Sequence, residues 1–294
     1  MQKIIEKASV LIEALPYIQR FRNAVVVVKF GGSAMEDKSH SDSILLDIAF
    51  MECVGMCPII VHGGGKCISR KMKSEGVESK FVKGLRVTCE KSIKIVEQVM
   101  KQEINPGIVA SLMRMGAQAQ GLNGEDVFAV TRAKQVDPET GETLDWGFVG
   151  EPYQADVKLI KALLRKRIIP VITPLGIGKD GKIHNINADV AAAALAGALK
   201  ARKLVFLSDV PGLLRNPKDE STLIPTLDSS DVEGLVKEGV IDGGMLPKVN
   251  SGIKALQAGV KKVHMIDGRM PHSLLMEVFT DKGVGTEIVA NEHE

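Results

Sequence analysis

Apolar residues follow two rhythms along this chain. Short unbroken apolar runs suit strands buried on both faces, and between them apolar residues recur every three or four positions, as on amphipathic helices. Over residues 1–20, Ile4, Ile5, Ala8, Leu11, Ile12, Leu15 and Ile18 form one helical stripe. This helix precedes the first strand and is an addition to the core. The pattern leaves open whether it packs on its own subunit or exchanges with another. Val25, Val26, Val27 and Val28 then make a β-branched run fit for the interior of a parallel sheet. Ile44, Leu45, Ile48 and Met51 mark a helix ending near Gly55; 58–62 is a second strand, and a helix follows over about 66–75. Residues 81–88 read as extended. Ile93, Val96, Met100 and Ile104 predict a helix ended by Asn105-Pro106, and Ile108, Leu112 and Met115 a further one stopped by Gly116.

Strands follow around 117–121 and 128–132, and 137–145, with Pro138 and Gly141, reads as a hairpin tip. Val157, Ile160 and Leu164 mark a helix before a buried strand at 168–173. An alanine-rich helix covers about 188–201, a strand 204–208, and 215–230 is polar and loop-like. A helix carrying Val249, Ile253, Leu256 and Val260, a strand at 263–266, a helix at 274–279 and a strand at 285–289 close the chain. Strands alternating with helices throughout predict an α/β fold, a three-layer αβα sandwich around a central, mostly parallel sheet. A lobe boundary is placed within 173–178, giving an interaction helix at 1–22 and lobes at 23–175 and 176–294.

Composition removes several classes of function. A net charge of +2 supplies no strong field for nucleic acid or a membrane. No apolar run reaches the roughly 18 residues of a membrane span. Glu6 and Glu13 interrupt the N-terminal apolar pattern, which argues against a secretory signal. Cys53, Cys57, Cys67 and Cys89 lack the paired spacing of a zinc site and are expected to be buried, reduced thiols. A cytoplasmic setting follows, with no metal held by the protein.

The candidate chemistry sits where strands end. Lys29 closes the valine strand, and Gly31, Gly32 and Ser33 follow at once. Open α/β sheets bind ligands at such carboxyl ends, and glycines let backbone amides approach an anion. The plainer alternative is a tight turn with an exposed lysine. Gly63, Gly64 and Gly65 repeat the arrangement after the second strand. Gly65-Lys66 is not a P-loop, because Ile60 stands where that motif needs glycine and Cys67 where it needs Ser or Thr. Arg86 suits either a carboxylate clamp or a salt bridge. Trp146, the single tryptophan, reads as packing.

Gly176, Gly178 and Gly181 match a dinucleotide fingerprint by letter only. Asp180-Gly181 reads as a hairpin turn rather than a helix start, which excludes an NAD site of that type. Asn187 is a good N-cap, with Asp189 in the first helical turn. Capping leaves Asn185 unexplained; two amides and an acid there suit a polar ligand or an ordering network. Pro247 suits the first helical position after Gly243 and Gly244, which places Lys248 at a helix N-terminus. A lysine opposes the helix dipole there, so an anionic ligand explains it better than folding does.

Six segments in this order, VVKFGGSA (27–34), VHGGGKCIS (61–69), GLRVT (84–88), NINAD (185–189), LSDVPGLL (207–214) and GGMLPKV (243–249), together resemble the amino acid kinase family. Two positions depart from it: Lys66 stands where members usually carry Pro, and Lys83 where they often carry Asn. The resemblance implies a carbamate kinase-like fold, an amino-acid lobe over 23–175 and a nucleotide lobe over 176–294. It implies ATP-dependent phosphorylation of the side-chain carboxylate of N-acetyl-L-glutamate, a step of arginine biosynthesis. By the same resemblance, Lys29 and Lys248 stabilise the migrating phosphoryl group and Asp189 positions them. Gly63, Gly64, Arg86 and Asn185 hold the acceptor. Gly31, Gly32, Asp209, Val210, Gly212, Leu214, Gly243, Gly244 and Lys248 carry the nucleotide, with Mg2+ held mainly by ATP oxygens and water.

The N-terminal helix resembles the extension of hexameric, arginine-inhibited members. That implies a homo-oligomer, a dimer or a hexamer joined through this helix, and an arginine site near Tyr17, Lys203, His264 and Glu277. Two alternatives stand beside this reading: an aminoadipate-type or other amino acid kinase of the same family, and a non-catalytic arginine or nucleotide sensor.

Overall fold

The valine run becomes β1 (Val25–Phe30), with Val26, Val27 and Val28 fully buried inside an eight-stranded sheet. The computed structural model describes residues 2–136, 143–279 and 283–290. After β1 come β2 (Cys57–His62), the short pair β3 (Phe81–Val82) and β4 (Leu85–Arg86), then β5 (Ala119–Leu122), β6 (Phe128–Val136) and β7 (Thr143–Ala155). The remaining strands are β8 (Ile169–Ile172), β9 (Leu175–Gly178), β10 (Ile183–Asn185), β11 (Lys203–Ser208), β12 (Thr226–Asp228), β13 (Lys262–Asp267) and β14 (Thr286–Val289). The helices are α1 (Gln2–Phe21), α2 (Lys38–Cys53), α3 (Gly65–Ser74), α4 (Glu90–Gln98), α5 (Asn105–Arg114), α6 (Lys158–Arg165), α7 (Ala188–Leu199), α8 (Val232–Lys237), α9 (Met245–Gln257) and α10 (Ser273–Phe279).

The main sheet runs β12-β14-β13-β11-β1-β2-β8-β5, parallel throughout except for the β13–β14 pair. Its strands come from both sides of residue 175, with β1 and β11 as direct neighbours. Side chains alternate across a strand, so Val26 and Val28 enter one core and Val27 the other. The first core packs against α2, α3, α4, α5 and α10, and the second against α6, α7, α8 and α9. This is the three-layer αβα arrangement expected from the alternating pattern. A smaller sheet of β10, β7, β6 and β9 closes on itself beside it.

The glycine triplet at 176–181 forms the antiparallel β9–β10 hairpin, with no helix start, as its turn chemistry predicts. Four expectations need correction. Asn105-Pro106 does not end a helix: a π-helical stretch, Val99–Ile104, carries α4 directly into α5. The proline has no N–H to give, and the wider turn accommodates its ring. The polar segment at 215–230 contains β12, which gains its ladder from β14, a partner far away in sequence. Pro247 is the third residue of α9 rather than the first, still within the turn whose N–H groups lack helical acceptors. The cysteines are free, but none is fully buried; Cys53 closes α2, Cys57 opens β2 and Cys89 precedes α4.

Of the expected hairpin tip at 137–145, residues 137–142 lie outside the described residues and 143–145 belong to β7, with Val136 and Thr143 paired on either side of 137–142. Trp146 is buried and donates to the Val82 carbonyl, a packing role. Among the described residues no helix is long and apolar enough to cross a membrane. On α1, Ile5, Ile12 and Leu15 of the apolar stripe are exposed, as is Val10.

One contact ties the fold to the chemistry below. A Cβ on Gly197 of α7 would lie 2.6 Å from Cβ of Ala258, just beyond α9. Only glycine lets these helices approach so closely. Gly197→Leu is therefore expected to lower the free energy of unfolding by about 1–3 kcal/mol through overpacking, measured by denaturant titration.

Candidate active site

Because β1 and β2 are parallel neighbours in register, Lys29 beside Val61 and Phe30 beside His62, their glycine turns emerge side by side. A Cβ on Gly31 would lie 3.2 Å from Lys29 Nζ and 3.6 Å from Gly63 Cα. Gly32 has φ +68°, a conformation favouring glycine. The two turns form the floor of a cleft of about 240 Å³. Lys29, Gly31, Gly32, Gly63, Gly64, Arg86, Asn185 and Asp189 all line it, with Gly65, Ile68, Phe81 and Met100. Residues distributed over 160 positions of sequence are thus brought to one concave site.

In its wall, Asp189 stands between two cations. Lys29 Nζ lies 3.1 Å from Oδ1, and Lys248 Nζ lies 3.0 Å from Oδ2. Local structure delivers each group. Lys29 is the penultimate residue of β1, Asp189 is in the first turn of α7 behind the Asn187 cap, and Lys248 is in the first turn of α9. The Asn187 carboxamide oxygen accepts from the backbone N–H groups of Asp189 and Val190. The side chains of Lys29 and Asp189 are 13% exposed and that of Lys248 is 9% exposed, so water screens the triad poorly. Burial alone would raise the Asp189 pKa; Lys29 and Lys248 outweigh it and hold the carboxyl at about 2. Burial, then the charge of Lys29, lowers the Lys248 pKa despite the Asp189 contact.

Arg86 is buried, and no carboxylate among the described residues pairs with it. Its guanidinium donates instead to the Gly65 carbonyl at 2.8 Å, to Ser69 Oγ at 3.0 Å and to Ser79 Oγ. Phe81 packs over it with the ring centroid 4.5 Å away. Of the two readings of this residue, the salt bridge is absent among the described residues. Gly65 belongs to the glycine turn already marked in the sequence, but Ser69 and Ser79, which also hold the arginine, were not singled out; an arginine between apolar neighbours, in need of acceptors, was the signal. Asn185 ends β10 at the cleft wall. The Gly63 N–H is given to the Phe30 carbonyl at 2.7 Å, so this turn does not offer Gly63's own amide to the cleft.

The departures at positions 66 and 83 are accommodated. Lys66 pairs with Glu36 at 2.9 Å. Lys83 has φ +49°, which asparagine adopts more readily than most residues. The expected nucleotide residues outside the glycine floor do not line this cleft. Asp209 and Val210 are exposed beyond β11, and a Cβ on Gly32 would lie 2.8 Å from Asp209 Oδ1. Gly212 and Leu214 are buried, while Gly243 and Gly244 are exposed just before α9.

Tyr17, Lys203, His264 and Glu277 line a second cavity, of about 400 Å³, between α1 and the β11–β13–β14 side of the sheet. Glu277 Oε1 is 2.6 Å from His264 Nδ1 and 3.8 Å from Lys203 Nζ. Burial opposes ionisation of Glu277, but His264, the Val284 N–H and Lys203 together lower its pKa. The buried Nε2 of His264 has no hydrogen-bond partner among the described residues.

A model of the amino acid kinase family matches residues 24–267. The chain belongs to the amino acid kinase family. It is 48% identical over 294 residues to an acetylglutamate kinase of Heliobacterium modesticaldum, covering 98% of this chain and 100% of that one. It is similar in structure to the N-acetylglutamate synthase of Neisseria gonorrhoeae complexed with coenzyme A and N-acetyl-glutamate. There the TM-score is 0.84 at 25% identity over 97% of this chain, which spans 63% of that protein. The same synthase complexed with coenzyme A and L-arginine gives a TM-score of 0.78 at 25% identity, over 94% of this chain and 64% of that one. Carbamate kinase from Giardia lamblia bound to AMP-PNP has a TM-score of 0.65 at 17% identity, over 92% and 99% of the two chains, a likeness of fold alone.

In this amino acid kinase the Asp189 pairing has a definite pH signature. The folded pKa lies below the unfolded one, so the stabilisation is full above the unfolded value and is lost as pH falls toward about 2. Compared with Asp189→Asn, the wild type is expected to lose about 2 kcal/mol of relative stability between pH 5 and pH 2, and nothing between pH 5 and pH 8. Denaturant unfolding across that range measures it.

Proposed function

We propose that the protein transfers the γ-phosphoryl group of ATP to the side-chain carboxylate of N-acetyl-L-glutamate, giving N-acetyl-L-glutamyl 5-phosphate and ADP in arginine biosynthesis. The observation that carries this reading is the pair of ammonium groups fixed on either side of Asp189, in the wall of a glycine-floored cleft. The acetylglutamate kinase that matches nearly the whole chain supports the choice of acceptor.

The chemistry needs no general base. A glutamate side chain, with a pKa of about 4.3, is already an anion at neutral pH. One of its oxygens attacks the γ-phosphorus, and the bond to the ADP oxygen breaks. The obstacle is negative charge meeting negative charge, and preorganised donors relieve it without reorganising during the reaction. Lys29 reaches the transferring group from the acceptor side, over 23–175, and Lys248 from the nucleotide side, over 176–294. Asp189 keeps both ammonium groups charged and spaced. Arg86 and Asn185 bind the acceptor, with Gly64 and Gly65 supplying backbone amides at the turn. Gly31 and Gly32 meet the phosphates, and Asp209, Val210, Gly212, Leu214, Gly243 and Gly244 carry the rest of the nucleotide. Each Asp189 oxygen faces one lysine, Oδ1 at 3.1 Å from Lys29 and Oδ2 at 3.0 Å from Lys248, and Mg2+ is held mainly by ATP oxygens and water.

Lys248→Ala is expected to cut kcat about a hundredfold or more, the scale of losing one transition-state donor, with ATP affinity within a few-fold of wild type. Coupled ADP release and calorimetry measure the two. Turnover compared across N-acetyl-L-glutamate, glutamate, aspartate and aminoadipate derivatives discriminates the acceptor, and any turnover at all excludes a pure sensor.

Arginine inhibition is a second reading, favoured by the cavity that holds Tyr17, Lys203, His264 and Glu277 together. Glu277 and Glu287 offer carboxylates to a guanidinium, and Lys203 and Arg202 offer cations to an α-carboxylate. The structural likeness to a synthase complexed with L-arginine supports it. The exposed apolar residues of α1 suit pairing with the same helix of a second copy, and so a homo-oligomer. Removing residues 1–20 is expected to abolish arginine inhibition in the coupled assay while turnover without arginine persists; an equally arginine-sensitive truncated enzyme overturns this reading.

A further inference from the structure

Directly behind the glycine floor lies a buried polar pair that the reaction above does not use. His62, the last residue of β2, is fully buried. Its Nε2 lies 3.2 Å from Nδ2 of Asn105, and its Nδ1 lies 2.9 Å from the Gly63 carbonyl oxygen. Asn105 Nδ2 also donates to the Val171 carbonyl at 2.9 Å, which fixes the orientation of the amide. An amide nitrogen only donates, so His62 Nε2 must accept, and the ring proton sits on Nδ1 and is donated to Gly63. Burial pushes the His62 pKa down to about 4, which keeps the ring neutral; apart from the Gly63 carbonyl, no group on β1, β8, α4, α5 or any other described element shifts it.

Asn105 reaches this position because of the π-helical stretch. In an α-helix, residues i and i+4 share a face and i+5 turns about 100° away. The wider turn at Val99–Ile104 brings both back. Met100 lines the cleft, Ile104 packs so tightly on the turn that a Cβ on Gly64 would lie 2.9 Å from it, and Asn105 meets His62. Asn105 has room only because residue 121 is glycine; a Cβ there would lie 2.1 Å from Asn105 Oδ1.

The consequence follows from the geometry of a trans peptide, whose C=O and N–H point in opposite directions. The Gly63 carbonyl is drawn inward to the buried ring. The Gly64 N–H of the same peptide therefore points outward, toward the cleft that Gly64 lines. We propose that His62 and Asn105 are positioning residues for phosphoryl transfer, holding the Gly63–Gly64 peptide so that it presents its N–H, and not its carbonyl, to the anionic reactants. The inference rests on the kinase reading above.

The test compares wild type, His62→Leu, His62→Asn and Asn105→Asp in steady-state turnover of N-acetyl-L-glutamate and ATP, with ATP affinity measured separately. His62→Leu is expected to lower kcat/KM for the acceptor about tenfold or more, part of the loss seen when a donor is removed outright, with ATP affinity unchanged. His62→Asn places an amide nitrogen where Nδ1 was and is expected to recover most of that loss. Asn105→Asp puts a carboxylate against Nε2, which raises the His62 pKa and holds a proton on Nε2. Below that pKa both ring nitrogens carry protons and the Gly63 bond survives. Above it Nδ1 is bare and the bond fails, so activity falls as pH rises through the new pKa, a limb absent from wild type.

An unchanged kcat/KM in His62→Leu, equal losses in the Leu and Asn variants, or a wild-type pH profile in Asn105→Asp each overturns the proposal. Wild-type enzyme that fails to turn over acetylglutamate overturns the kinase reading itself, before any variant is compared. Should His62→Leu fail to fold, the other two variants decide.

Discussion

Two ammonium groups cannot be held close together in a site with little water unless an anion lies between them. At an effective dielectric of about 20, like charges 6 Å apart repel by nearly 3 kcal/mol. Asp189 removes that cost by taking Lys29 on one oxygen and Lys248 on the other. Its position depends on local devices: the Asn187 cap that starts α7, the first-turn location that suits an acid, and the close approach of α7 to α9 at Gly197. Each lysine comes from a different part of the chain, so the triad also fastens the first strand of the sheet to a helix more than 200 residues later.

The parallel sheet explains why the rest of the site assembles where it does. Parallel neighbours end at the same edge, so β1 and β2 deliver two glycine turns side by side, and β11, next to β1, ends there as well. The order β11-β1-β2 places the junction between earlier and later parts of the chain at the strand ends, where open α/β sheets as a class bind ligands. Small residues are then required wherever backbone meets backbone. Gly31 and Gly63 abut, and the side chain of Lys29 folds back over Gly31.

Much of this was legible in the sequence because it rests on local rules. A valine run ending in Lys-Phe-Gly-Gly marks a buried strand and its turn, and Asn187 with Asp189 marks a helix start. The Asp180-Gly181 hairpin outweighed the glycine spacing that imitates a dinucleotide site. What was not legible depends on distant partners. β12 exists as a strand because β14 lies beside it. The π-helical stretch that ends just before Asn105 goes with a buried bond from Asn105 to His62, 43 residues earlier, and a proline rule that considers only its own helix cannot anticipate it. Whether Gly63 offers its N–H to the cleft was decided by Phe30 on the neighbouring strand. The exposure of the apolar residues on α1 likewise depends on what lies beside the helix, which its periodicity does not specify.

The two cavities are joined by continuous packing. Tyr17 of α1 meets Phe279 of α10 edge to face at 6.4 Å, and Phe279 meets Phe50 of α2 at 5.9 Å. Asp47, buried on α2, accepts from His272 at 2.6 Å just before α10 begins. α2 itself starts at the Asp37 cap, a few residues after the Gly31–Gly32 turn. A ligand lodged between α1 and Glu277 therefore bears on a helix whose first turn adjoins the cleft floor. Contact alone is not coupling, because an effector shifts a protein only by its difference in affinity between two states. The groups best placed to create such a difference are the charged ones that Glu277 gathers. Glu277 belongs to α10, and its carboxylate is held by His264 at 2.6 Å and faces Lys203 at 3.8 Å, so the charge balance of that cavity is set on the same helix that packs against α1 and α2.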